Sequence, residues 1–186
     1  MRIVGGRFMG RRLATPKGVN TRPTSDRARE AMFNILAHAD WAPPLEGARV
    51  IDLFAGSGAL GLEAMSRAAS FCLFVETEAA ARGAIRDNID TLQLFGHTRL
   101  HRRDATALGE KPANLGAPFD LVFLDPPYGK GLGEKCLDRL VSGEWIHERS
   151  LAVLEVGADE TPETPGWTQQ VTKDYGAAKV FFLKPG

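Results

Sequence analysis

Residues 49–64 read RVIDLFAGSGALGLEA. Residues 50–54 are apolar except for Asp52, which suits a strand buried on both faces of a parallel sheet. A turn follows at Ala55, Gly56, Ser57 and Gly58, and Leu60, Leu62, Glu63, Ala64 and Met65 are good helix formers. The local order is strand, glycine turn, helix. Gly56 and Gly58 remove the Cβ atoms that would keep a ligand off the backbone, and Gly61 lets the helix pack close to the strand. The positive end of that helix and its free N–H groups face the turn. The spacing is that of G-x-G-x-x-G, which fits a nucleotide-type site but also tight helix–strand packing with no ligand. About 20 residues after the glycines stands Glu76, closing the apolar run 71–75, where an acid can accept both hydroxyls of a ribose.

The composition limits the classes that this motif can serve. A chain of 186 residues with 25% charged and 44% hydrophobic residues suits one globular domain with a good core and room for a small extension. No apolar run approaches the ~20 residues of a membrane span, and residues 1–12 contain no signal-like apolar stretch. Cys72 and Cys136 sit in apolar patterns and read as reduced core thiols, which points to the cytoplasm. His38, His97, His101 and His147 are scattered and read as structural or surface groups, and no Cys/His cluster has metal-ligand spacing. The neutral net charge hides an asymmetry: residues 1–30 carry eight basic and two acidic side chains, a net of +6, leaving −6 in the rest. A basic arm on an acidic body suggests an anionic partner, and arginines pair with phosphate oxygens. A solvated basic tail is the plainer alternative.

Residues 1–19 alternate short apolar pieces with glycines and arginines and could form a small hairpin or an arm. Thr24 or Ser25 can cap a helix with Asp26 in its first turn, and Ala28, Met32, Ile35 and Leu36 share one of its faces. Residues 41–47, WAPPLEG, are a joint between this segment and a main domain. Strands are expected at 50–54, 71–76, 99–103, 121–124 and 151–156. Helices are expected at 59–69, 78–94 and 133–141, with a weaker one at 105–115. The alternation argues a parallel sheet with helices on both faces. Residues 168–174 and 179–183 are β-rich and separated by Tyr175-Gly176, too close for a crossover helix, so they should form an antiparallel hairpin. The expected division is residues 1–47, a basic arm and helix packed on the main domain, and residues 48–186, that domain. The fold class is α/β and Rossmann-like, mostly parallel with a C-terminal antiparallel hairpin.

Asp125-Pro126-Pro127-Tyr128 follows the strand at 121–124, at the edge where open α/β sheets bind ligands. The prolines stiffen the loop and remove two donors, leaving carbonyls, a carboxylate and a phenol. Asp125 and the Pro126 carbonyl can accept hydrogen bonds from an exocyclic amine while Tyr128 stacks on its ring. Such an amine is a poor nucleophile because its lone pair is delocalised. Two acceptors holding its hydrogens out of plane restore the lone pair and aim it at an electrophilic methyl. A rigid turn with a surface tyrosine is the alternative.

DLFAGSGALGLEA resembles the cofactor motif of S-adenosylmethionine-dependent methyltransferases, and DPPY resembles the [D/N]-P-P-[Y/F] motif of those that methylate amino nitrogens. RIVGGRFMGRRL, RPTSDRAREAMFNIL and WTQQVTKDYGAAKVFFL resemble the bacterial family of small-subunit ribosomal RNA methyltransferase D, and the resemblance covers nearly the whole chain. It implies S-adenosyl-L-methionine as cofactor and the N2 amino group of guanine-966 in 16S rRNA as target, in the small ribosomal subunit or its assembly intermediate. It also implies roles for individual residues. The backbone of Phe54, Ala55, Gly56, Ser57 and Gly58 would cradle the cofactor, with Asp52 anchoring the turn or the amino group. Glu76 would take the ribose, Asp104 and Ala105 the adenine, and Arg22 and Thr24 would close over the cofactor. Asp125, Pro126 and Tyr128 would hold the guanine, with Asp125 or water taking the released proton. Arg2, Arg7, Arg11, Arg12 and Lys17 would meet rRNA phosphates. No metal and no membrane enter this reading, and a monomer suffices. The alternatives are an amino-methyltransferase acting on DNA adenine N6 or a protein glutamine, an NAD-dependent oxidoreductase, and a non-catalytic RNA-binding assembly factor.

Overall fold

The computed structural model describes residues 1–17 and 24–186. Its centre is a seven-stranded sheet in the order β3-β2-β1-β4-β5-β7-β6. The strands are β1 (Arg49–Leu53), β2 (Phe71–Val75), β3 (Thr98–His101), β4 (Phe119–Leu124), β5 (Ile146–Gly157), β6 (Trp167–Asp174) and β7 (Ala178–Pro185). Strands β1 to β5 run parallel, and β7 enters antiparallel between β5 and β6. The helices are α1 (Asp26–His38), α2 (Ala59–Ser66), α3 (Ala79–Leu92) and α4 (Leu132–Ser142). The terminal hairpin forms because residues 175–177 are too few for a crossover, so the chain must double back.

The period of two along each strand divides the core into two layers. Val50, Cys72, Phe74, Leu121, Phe123, Val153 and Phe182 face one side, where α1, α2, α3 and the N-terminal segment pack. Ile51, Leu53, Leu73, Val75, Val122, Leu124 and Leu154 face the other, against α4 and the connection before β4. Among the described residues, no helix is long and apolar enough to cross a membrane.

Three elements differ from their sequence patterns. Residues 105–115 form two short 3-10 turns, Ala105–Ala107 and Ala113–Leu115, rather than one helix. Gly109 adopts φ +66° between them, and Pro112 has no N–H to continue a ladder. Strand β5 starts at Ile146, well before residue 151, and slips its register against β4 between Phe119 and Leu121. On α1 the buried face is Arg29, Met32, Phe33 and Leu36 rather than one containing Ala28. Arg29 can be buried because its guanidinium meets Glu63 on α2 at 3.2 Å and Asp26 at 2.9 Å.

The N-terminal segment is a narrow loop closed by an antiparallel bridge between Arg2 and Arg12. It wraps the C-terminal half of α2. Glu63 accepts the amides of Val4 and Gly5 at 3.0 Å each, and the Ser66 carbonyl accepts the Arg7 amide at 2.9 Å. Ile3 and Leu13 are buried in the same core layer as α1 and α2.

Candidate active site

The strand order reverses between β1 and β4, and at such a switch point the loops leaving the two strands diverge and open a crevice. A cavity of about 920 Å³ lies there. Its lining includes Asp52, the turn Phe54-Ala55-Gly56-Ser57, Glu76, Asp104-Ala105, Thr24 and Asp125-Pro126-Pro127-Tyr128. Side chains far apart in the sequence therefore face one space.

The glycine turn is built around unusual backbone. Phe54 sits at φ +56°, a left-handed conformation that costs a non-glycine residue stability, so the surrounding structure must hold it there. Gly56 at φ +59° follows, and a Cβ there would meet no atom within 4 Å, because the position opens onto the cavity. Gly58 at φ +81° turns the chain into α2. Gly61 does the packing work: a Cβ there would lie 2.6 Å from both the Cys72 sulfur and a Phe74 ring carbon. Asp52 lies under the turn, and its Oδ2 accepts the Gly61 amide at 3.0 Å. Burial, together with the charge of Glu76, pushes the Asp52 carboxyl up to about 8.

Glu76, at the end of β2, ties the turn to its neighbours. Oε1 accepts the Gly56 amide at 2.8 Å and Oε2 the Glu78 amide at 2.8 Å. Each carboxylate oxygen keeps a second lone pair for a ligand hydroxyl. Asp104 follows β3, and its Oδ1 accepts the Thr106 amide at 2.8 Å and hydroxyl at 2.7 Å. Those hydrogen bonds hold its carboxyl below the usual aspartate value.

After β4, Asp125 is raised well above an ordinary aspartate by burial and by the nearby Glu155 carboxylate. The Tyr128 hydroxyl donates to Glu155 Oε2 at 2.8 Å, and the Thr24 hydroxyl donates to Oε1 at 2.9 Å. Thr24 thus stands at the cavity rim beside the Asp125 loop. Helix α1 is capped by Ser25, whose Oγ accepts the Ala28 amide at 3.1 Å. Arg22 lies outside the described residues. Arg2, Arg7, Arg11, Arg12 and Lys17 are all exposed, and the Arg11 guanidinium reaches the Thr91 carbonyl at the end of α3.

Two site residues escaped the sequence reading. Glu155 is one, although a lone acid inside the apolar run LAVLEV was a visible signal. Asn88 on α3 is the other. Its side chain joins the Ser57 carbonyl at 3.0 Å to both polar groups of the Ala14 backbone, so it braces the glycine turn against the N-terminal segment. An asparagine within a helix carries no such signal in sequence. Among the described residues, no group of three or more His, Cys, Asp or Glu is arranged to hold a metal.

Comparison with known proteins places this architecture. The family described as conserved hypothetical protein 95 matches residues 1–184. Ribosomal RNA small subunit methyltransferase D of Escherichia coli (strain K12) is 38% identical over 155 residues, covering 83% of this chain and 74% of that protein. The protein of the same name from Haemophilus influenzae is 32% identical over 178 residues, covering 95% and 89%. The solved structure of Escherichia coli yhhF superposes with a TM-score of 0.83 at 34% identity, covering 100% of this chain and 97% of that one. The chain belongs to this family, that of the small-subunit ribosomal RNA methyltransferases D.

Proposed function

We propose that this protein transfers a methyl group from S-adenosyl-L-methionine to the exocyclic N2 amine of guanine-966 in 16S rRNA, within the small ribosomal subunit or its assembly intermediate. One observation carries the reading in a chain of this family: the glycine turn after β1 and the Asp125–Tyr128 loop after β4 line a single cavity.

The donor set fits the cofactor. Gly56 leaves the floor of the turn bare, where backbone can approach a ligand closely. Glu76 has lone pairs for two ribose hydroxyls, and Asp104 stands beside Ala105 at the position for an adenine amine. Asp52 carries the turn from below, and the backbone from Phe54 to Gly58 forms the cradle. The cavity is within the size range of small-molecule sites, about 300–1,000 Å³. When bound, S-adenosylmethionine supplies an electrophilic methyl on a sulfonium, whose sulfur keeps the electrons of the broken C–S bond as the new C–N bond forms.

The chain's own residues orient the amine. Asp125 and the Pro126 carbonyl accept its hydrogens and turn the lone pair out of conjugation. The guanine must leave its stack to enter the cavity. Tyr128 lies against it, with its hydroxyl anchored on Glu155. Thr24 stands at the cavity rim, where its hydroxyl bond to Glu155 puts it beside the Asp125 loop. The exposed Arg2, Arg7, Arg11, Arg12 and Lys17 of the arm within residues 1–47 hold rRNA phosphates while residues 48–186 do the chemistry. The protein acts as a cytoplasmic monomer and uses no metal.

Transfer of radiolabelled methyl tests this reading. The substrates are small subunits lacking the modification, deproteinised 16S rRNA, DNA and total protein. Label recovered as N2-methylguanine in the subunit or its rRNA is the expected result. Label in DNA or protein would overturn the substrate, and absence of label everywhere would favour a binding factor.

A further inference from the structure

The C-terminal ends of β4 and β5 bring two carboxylates together. Leu124 pairs with Leu154 in register, so the next residues, Asp125 and Glu155, emerge side by side. Two carboxyls held side by side on neighbouring strands repel when both are ionised, and a single proton between them relieves that repulsion. Glu155 is 5% exposed and buried from bulk solvent, yet its two oxygens are engaged by two hydroxyl donors from different parts of the chain, Thr24 and Tyr128. Donors on both oxygens stabilise negative charge on Glu155 and draw the shared proton toward Asp125.

From this geometry we infer that Asp125 and Glu155 hold one proton between them and act as a single proton acceptor for the amine. The inference rests on the methyl-transfer reading of the site. After methylation the amine nitrogen is cationic and carries one proton too many. That proton passes to the Asp125 oxygen facing the cavity, while the proton already on Asp125 passes to Glu155. The nitrogen ends neutral and the pair goes from one proton to two. Glu155 takes charge without touching the substrate, and the Thr24 and Tyr128 hydroxyls keep it oriented. This gives Tyr128 a second task besides contact with the base.

The titratable surroundings are few. Asp52 from β1 lies near Asp125 and raises it further once ionised, above about pH 8, and the Tyr128 hydroxyl donates to Glu155. On the other flank, β7 places Val180 opposite Glu155. Glu160, beyond β5, is engaged by the amides of Gly129 and Gly157.

Carboxyl 13C NMR of the substrate-free protein tests the pair directly, with Asp125→Asn used for assignment. In the wild type, two well-separated steps are expected, each moving both the Asp125 and Glu155 signals, as interacting carboxyls give. In Glu155→Gln, an isosteric change that keeps an acceptor for a hydroxyl, they collapse to one Asp125 step lying between them. A single wild-type Asp125 step in the ordinary aspartate range overturns the proposal, and that arm needs no variant. Single-turnover methyl transfer to rRNA gives the second readout. Sharing the proton stabilises the one-proton state, so its acid limb lies low in the wild type and moves to higher pH in Glu155→Gln, with cofactor affinity unchanged. A uniform fall in rate at every pH, with the limb unmoved, would make Glu155 merely structural and overturn the proposal. If the wild type methylates no rRNA, the substrate reading fails by itself and the carboxyl titration alone decides whether the proton is shared.

Discussion

Asp52 Oδ2 accepts the Gly61 amide at 3.0 Å, joining the middle of β1 to the first turn of α2. The bond satisfies a helix N-terminal donor from outside the helix, since Gly58 at the N-cap offers no side chain. The carboxyl doing this is buried, and its folded value is pushed up to about 8 from 3.8. Between these values the folded protein binds a proton that the unfolded chain does not. Stability from this group is therefore full below about pH 4 and is lost as pH rises to about 8. Asp52→Asn keeps an acceptor for Gly61 and removes the titration. Thermal melts across this window should show the variant gaining on the wild type as pH rises, and a pH-independent difference would contradict the assignment.

Gly61→Ala tests the contact between α2 and the sheet. Alanine favours a helix, but the new methyl would lie 2.6 Å from the Cys72 sulfur and the Phe74 ring, both fully buried. Overpacking of this kind costs about 1–3 kcal/mol and should outweigh the propensity gain. Urea denaturation should show a lower midpoint, together with weaker cofactor binding because the glycine turn rides on the same helix.

Glu63→Gln should release the N-terminal segment. The Glu63 carboxylate meets Arg29 at 3.2 Å, Arg67 at 3.0 Å and the amides of Val4 and Gly5. The Arg29–Glu63 pair is fully buried, so removing the negative partner leaves the Arg29 cation with only the half-exposed Asp26 as counter-charge, at a cost near the lower end of about 3–5 kcal/mol. Equilibrium unfolding measures the loss. Limited trypsin digestion should cut first among Arg2, Arg7, Arg11 and Arg12 in the variant, whereas the wild type resists there.

Asp125→Ala should abolish methyl transfer while leaving cofactor affinity largely intact. It removes an acceptor from the amine and the oxygen that faces it, so a fall of at least about 10²-fold in turnover is expected. Single-turnover labelling alongside calorimetric titration of S-adenosylmethionine separates the two quantities. Near-normal turnover would refute the amine clamp.

Arg7→Ala and Arg12→Ala, both at exposed positions of the arm, should weaken rRNA binding without altering the melting behaviour of the core. Removing one arginine–phosphate pairing should flatten the dependence of log affinity on log salt by roughly 0.7–0.9. Filter binding across a salt series reads this slope, and an unchanged slope would remove these arginines from the interface.

Much of this was readable along the chain. Apolar runs of strand length alternating with helical periods marked β1 to β4, and the few residues at 175–177 required a hairpin. Residues 54–58 and 125–128 could be read as loops at strand ends because glycine permits left-handed backbone and paired prolines fix φ wherever they occur. The breakdown of 105–115 into 3-10 turns was less legible, since a single positive φ at Gly109 ends the helix. Arg29 was hidden for a different reason. Its burial depends on a carboxylate 34 residues away, and helical periodicity counts an arginine as surface.

What the sequence by itself determined was the order of elements and the chemistry of each loop, because these depend on near neighbours. The tertiary structure decided which loops share a space. Parallel pairing of β1 with β4, and of β4 with β5, placed Asp52 and Asp125 around one cavity, with Glu155 beside Asp125. The buried environment then raised the carboxyls of Asp52 and Asp125. Desolvation and like charge act through space, between residues that the chain keeps far apart.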